Sequence, residues 1–159
     1  MSIDEETGVR DYISDIKRIA AGERFVLALR NDGLLYAWGD NTLGQLGVEI
    51  NNETTEDGTA IEDSRSLPVE VDLTDGVDFT EITDIAAGKN HTVIVLNNDT
   101  VYTWGDNTYG QLGTGENGSY IPNQVKGFNG GEYLTDIISV KAGSYHTVAL
   151  KRDGSVWAW

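Results

Sequence analysis

Cysteine is absent from the 159 residues, which removes disulfides, thiolate metal sites and cysteine nucleophiles together. Basic residues are scarce. Lys and Arg total 11 against 26 Asp and Glu, for a formal net charge of -15. A field of that sign repels phosphates and anionic lipid, so neither nucleic acid nor a membrane surface is an expected partner. No apolar run approaches the roughly 18 residues of a membrane-spanning helix. The start, MSIDEETGVRDYISDIKRI, is acidic and lacks a basic segment followed by an apolar one. No secretory signal peptide is expected, and the reading leans towards the cytoplasm, one that a longer parent chain would reopen. Proline occurs only twice, against 19 glycines, so the chain is rich in turns without being a stiff linker.

Enzyme signatures are missing as well. No serine sits in Gly-x-Ser-x-Gly, and no His-Glu-x-x-His occurs. Gly44-Gln45-Leu46-Gly47 and Gly110-Gln111-Leu112-Gly113 are not followed by Gly-Lys-Ser/Thr, so they do not cradle phosphate. With so many carboxylates some pair will fall at hydrolase spacing by chance, which leaves a carboxylate-based hydrolase only as an outsider. No cofactor is expected.

What the chain does contain is a repeat. Ile16–Gly47 reads IKRIAAGERFVLALRNDGLLYAWGDNTLGQLG and Ile82–Gly113 reads ITDIAAGKNHTVIVLNNDTVYTWGDNTYGQLG, identical at 16 of 32 ungapped positions. The front of a third copy, IISVKAGSYHTVALKRDGSVWAW, occupies Ile137–Trp159. The division is thus a lead-in at 1–15, a first repeat at 16–81 with an acidic insertion at 48–66, a second at 82–136 and a shortened third at 137–159.

Each copy shows short strands of period two. The first strands are expected at Ile16–Ala20, Ile82–Ala86 and Ile137–Lys141, and the second at Phe25–Leu29, His91–Val95 and His146–Leu150. Third strands are expected at Leu34–Trp38, Thr100–Trp104 and Ser155–Trp159. Asp32-Gly33, Asn98-Asp99 and Asp153-Gly154 supply tight turns between the second and third strands. A fourth strand is expected at Leu67–Val71 and Ile121–Val125, with Pro68 and Pro122 at its start or edge. Phe25, Leu27 and Leu29 point one way while Val26 and Ala28 point the other. Both faces are apolar or small, as sheets packed on two sides require. The expected class is all-β, built of four-stranded antiparallel propeller blades in an incomplete ring.

The unit AAGxxHTxxLxxDGxVYxWGDNxxGQLG, with a following Pro-x-x-Val strand, resembles the repeat of the regulator of chromosome condensation family over Ile16–Trp159. The resemblance implies a seven-bladed propeller. It also implies relatives that exchange guanine nucleotide on a small GTPase, bind chromatin, sense light or serve ubiquitin ligases. Three copies fall short of the usual about 4 to 8 blades. The expectation is therefore a piece of a longer ring, with closure by self-association through unpaired blade faces as the alternative.

Repeat positions are expected to serve the blades themselves. These are Gly22, Gly88 and Gly143, the histidines His91 and His146, and Trp38, Trp104 and Trp159 at the strand ends. Gly44, Gly47, Gly110 and Gly113 join them, through positive φ and close approach between blades. The histidines share a position that Phe25 fills in the first copy, so each is expected to bond a neighbouring turn rather than act as an acid or base. Asp40, Asn41, Asp106 and Asn107 should fix turns through their own backbone. The acidic insertion lacks the bidentate glutamate of a calcium loop. Its residues Glu53, Glu56, Asp57, Glu62 and Asp63 are the candidates for partner binding, because insertions in repeat proteins cluster on binding faces. The function expected is a non-enzymatic protein-interaction scaffold, with a nucleotide-exchange regulator as the alternative.

Overall fold

The computed structural model describes residues 13–59, 61–73, 81–127 and 131–159, and all its regular structure is strand. The first sheet runs in the order β1 (Ile16–Ala21), β2 (Phe25–Arg30), β3 (Leu35–Asp40) and β4 (Ser64–Glu70). The second repeats it with β5 (Ile82–Ala87), β6 (His91–Leu96), β7 (Val101–Gly105) and β8 (Ser119–Gln124). A third holds β9 (Ile137–Ala142), β10 (Thr147–Lys151) and β11 (Val156–Ala158). Neighbouring strands are antiparallel throughout. Most of the lead-in lies outside the described residues.

The turn chemistry explains the hairpins. Gly33 and Gly154 have φ of 94° and 87°, and Asp99 takes the same left-handed conformation at 62°. Asp tolerates that region better than most residues with a side chain. The prolines sit deeper than expected, Pro68 as the fifth residue of β4 and Pro122 as the fourth of β8. β4 and β8 begin at Ser64 and Ser119, and each pairing slips near its proline, between Ala37 and Gly39 and between Thr103 and Gly105. A residue without an N–H fits there because the ladder is already interrupted on an edge strand.

The sheets meet chiefly through their first and second strands: β1 against β5, β2 against β5, β5 against β9 and β6 against β9. They therefore converge at one edge and fan apart towards the fourth strands, as propeller blades do. One core joins Phe25, Leu27, Leu29 and Leu46 of the first copy to Ile82, Ile94, Leu96 and Trp104 of the second. The other joins Val93, Val95 and Val101 to Ile137, Val140 and Ala149. Hence β6 is buried at all six positions, whereas β10 is exposed at Leu150. On the outer side of the first sheet, Ile19 is 75% exposed and Trp38 only half-buried.

Both seams share a polar latch. At the first, the Gln45 carbonyl accepts from the Thr92 hydroxyl (2.7 Å) and the Trp104 indole N–H (3.1 Å). At the second, the Gln111 carbonyl accepts from Thr147 and Trp159, each at 2.9 Å. Glycine makes room for the indole. A Cβ on Gly47 would stand 2.8 Å from Trp104 Nε1, and one on Gly113 equally close to Trp159. Gly22, Gly88 and Gly143 serve differently, since the ring three residues on lies over each. A Cβ there would come within 2.0 to 2.1 Å of Phe25, His91 or His146.

Candidate interaction face

Antiparallel order brings two sets of connections to one end of the sheets: the turns between first and second strands, and the loops between third and fourth. The turns stand side by side through backbone bonds, Glu23 N–H to the Lys89 carbonyl and Lys89 N–H to the Ser144 carbonyl, both 3.2 Å. Ala21–Glu23, Ala87–Lys89 and Ala142–Tyr145 line a cleft of about 420 Å³ where the inner strands converge. The Lys89 ammonium meets Glu23 at 3.3 Å and the Tyr145 hydroxyl at 3.1 Å, and lies 5.5 Å from the Tyr145 ring centre. Those partners, Tyr145 first and Glu23 second, hold the lysine above its ordinary pKa. Tyr109, 70% exposed, leans on Tyr145 with ring centres 4.9 Å apart. Leu43 occupies the repeat position of Tyr109 and is also exposed.

The aspartates of the loops fix their turns as expected. Asp40 Oδ1 accepts from Thr42 N–H (2.9 Å) and Asp106 Oδ1 from Thr108 N–H (2.9 Å). Asn41 and Asn107 reach further, each accepting from the N–H five residues on, at Leu46 and Leu112.

The acidic insertion divides in two. Glu53, Glu56, Asp57 and Glu62 are exposed, whereas Asp63 is 4% exposed. Its carboxylate accepts from the Asn41 side chain (2.8 Å) and Asn51 N–H (2.9 Å), and pairs with Arg65. Asp63 is thus the loop's anchor. At the tip, Thr55 N–H bonds the Thr59 carbonyl at 2.8 Å and Gly58 takes a φ of 85°. Hydrogen bonds from Thr55 and Thr59 lower the Asp57 pKa to about 2. Arg24 joins the loop to the first turn, 3.5 Å from Glu62 and 3.9 Å from Asp40.

The histidines depart from expectation. His91 is fully buried, and its Nε2 meets the Thr147 hydroxyl of the next sheet's strand at 3.0 Å, not a turn. His146 is exposed, because no further sheet covers that side of the third among the described residues. The tyrosine and lysine cluster was not singled out by the repeat pattern. A usable signal was there: Glu23, Lys89 and Ser144 share one position in an otherwise regular turn yet differ in chemistry.

Comparison with known proteins follows the same repeat. The model of the regulator of chromosome condensation (RCC1) repeat matches residues 32–95 and 98–150, and a second model of that description matches 16–45 and 82–111. The Schizosaccharomyces pombe protein pim1 is 32% identical over 158 residues, covering 92% of this chain and 27% of its own. The Arabidopsis thaliana ultraviolet-B receptor UVR8 is 32% identical over 145 residues, covering 91% and 29%. Among solved structures, Prp20p of Saccharomyces cerevisiae, described with its binding to Gsp1p and histones, superposes with a TM-score of 0.70 at 28% identity. That match covers 91% of this chain and 33% of Prp20p. The chain spans about a third or less of these relatives.

Proposed function

The chain belongs to the regulator of chromosome condensation repeat family, and from that premise we propose that it is a non-enzymatic protein-binding module whose partner seats on the face just described. The observation carrying this reading is the exposed Tyr109–Tyr145 pair beside Lys89, at the rim of a cleft and on the same end as the acidic loop. Tyrosine gives large contact area for little lost side-chain freedom, which is why it is enriched among binding hot spots, and Lys89 is already held in place by Tyr145 and Glu23. Glu53, Glu56, Asp57 and Glu62 add a field that steers a basic partner surface, and Asp63 holds them in place.

Affinity capture with the whole chain tests this. A partner retained by the wild type should be lost by Tyr109→Ala/Tyr145→Ala and bound more slowly after Glu53→Gln/Glu56→Gln/Asp57→Asn/Glu62→Gln. A stable partner held equally by both variants removes the reading. The family supports a second reading, nucleotide exchange on a small GTPase. Faster release of a labelled guanine nucleotide on adding the protein would favour it over the scaffold.

A further inference from the structure

The one buried histidine is used by nothing above, and it sits at one seam only. Thr147 Oγ1 has a single proton, and its 2.9 Å bond to the Gln111 carbonyl takes it. The same oxygen must then accept from His91 Nε2 at 3.0 Å, which places the imidazole proton on Nε2. Nδ1 is left a buried acceptor without a partner. It lies against Gly88, where an added Cβ would be only 2.3 Å away. A second proton at Nδ1 would therefore create a buried, charged donor with nothing to receive it. The opposite tautomer fares no better, since it orphans an N–H at the same spot.

The surroundings do not rescue the cation. Asp106, beyond β7, favours it and His146, at the head of the third sheet, opposes it, but loss of solvent outweighs both. Lys89 is engaged with Glu23 and Tyr145, Asp84 on β5 accepts from Ser139, and Lys141 on β9 is exposed. At the equivalent place in the first seam stands Phe25, which cannot titrate.

We propose that the seam between the second and third sheets is an acid-operated joint: a second proton on His91, at Nδ1, leaves a charged N–H that only an opened seam can solvate, so acid releases the third sheet while the Phe25 seam stays closed. The direction follows from linkage. Burial lowers the His91 pKa from 6.5 to about 4, so the seam is at full strength above 6.5 and weakens as pH falls towards 4. Over most of that span, opening takes up one proton and becomes about tenfold easier per pH unit.

Hydrogen exchange read by mass spectrometry on the whole chain tests it, with rates corrected for intrinsic pH dependence. Between pH 6.5 and 5, protection across β9–β11 should fall about tenfold relative to β1–β3. In His91→Phe that ratio should stay level. Phe25→His, placing a ring opposite Thr92, should give β1–β3 the same loss of protection. A wild type whose sheets respond alike, a His91→Phe ratio that still falls, or a folded Phe25→His without new acid sensitivity each overturns the proposal.

Discussion

The two seams are built to one plan and secured differently. Each closes a glutamine carbonyl onto a threonine hydroxyl and an indole N–H of the following sheet. In the first, packing against Phe25 fills the place beside that latch, and the remaining polar links lie at the surface: Arg18 to Asp84 at 3.8 Å and to the Thr83 carbonyl at 2.8 Å, and Lys89 to Glu23 at 3.3 Å. The second substitutes hydrogen bonds: His91 to Thr147, and Asp84 accepting from Ser139 Oγ (2.8 Å) and Val140 N–H (3.1 Å). Apolar and polar fastenings are interchangeable in one geometry provided that every buried donor finds an acceptor. The first has a phenyl ring where the second has a buried imidazole, so only the second carries a titratable ring at that place.

The comparison can be broken most severely at the indoles. Trp104 is fully buried and Trp159 only half. Trp104→Ala should cost about 3 to 5 kcal/mol in urea denaturation, and Trp159→Ala clearly less. Equal losses would mean that the seams do not differ in depth.

Next come the loop glycines. Gly44 and Gly110 have similar φ, 77° and 83°, but a Cβ on Gly44 would meet Tyr120 at 2.7 Å while Gly110 faces open space. Alanine at either position pays the backbone cost of about 1 kcal/mol. Gly44→Ala should add roughly 1 to 3 kcal/mol of overpacking, measured as a difference in melting midpoint. A vanishing difference would separate the first loop from the second sheet.

A sharper contrast uses threonine. Thr92→Val removes one hydrogen bond to Gln45, whereas Thr147→Val also strands the buried His91 N–H. Expected losses are about 1 and about 2 kcal/mol. Reversal of that order would refute the assigned tautomer. The smallest effect is expected at Arg18, whose side chain is half in solvent; Arg18→Ala should cost less than about 1 kcal/mol and fade in high salt.

Much of this architecture was readable from the repeat. Sixteen identities across two copies located the hairpins, and Asp99 in a glycine's place marked a left-handed turn that the structure contains. Strand ends were less legible. β4 and β8 start before Leu67 and Ile121 because pairing resumes beyond the proline bulge, where no apolar residue advertises it. β10 begins at Thr147, not His146, because its pairing with β11 starts only at Val148 and Ala158, whereas Phe25 and His91 pair with Gly39 and Gly105 of their third strands. The interaction face was the hardest part. An acidic run looks uniformly solvated in sequence, so nothing distinguished Asp63 from its neighbours until Asn41 and Arg65 were seen beside it. Identical positions reveal packing; Lys89, Tyr109 and Tyr145 lie where the copies disagree.

The bonds between the turns have one more effect. Glu23, Lys89 and Ser144 pass amide to carbonyl in a single rotational sense, using main chain alone. Because no side chain takes part, an acid, a base and a hydroxyl stand in the same socket without disturbing it. The rim can therefore be respelled, letter by letter, under selection for new ligands while the hub beneath keeps its grip.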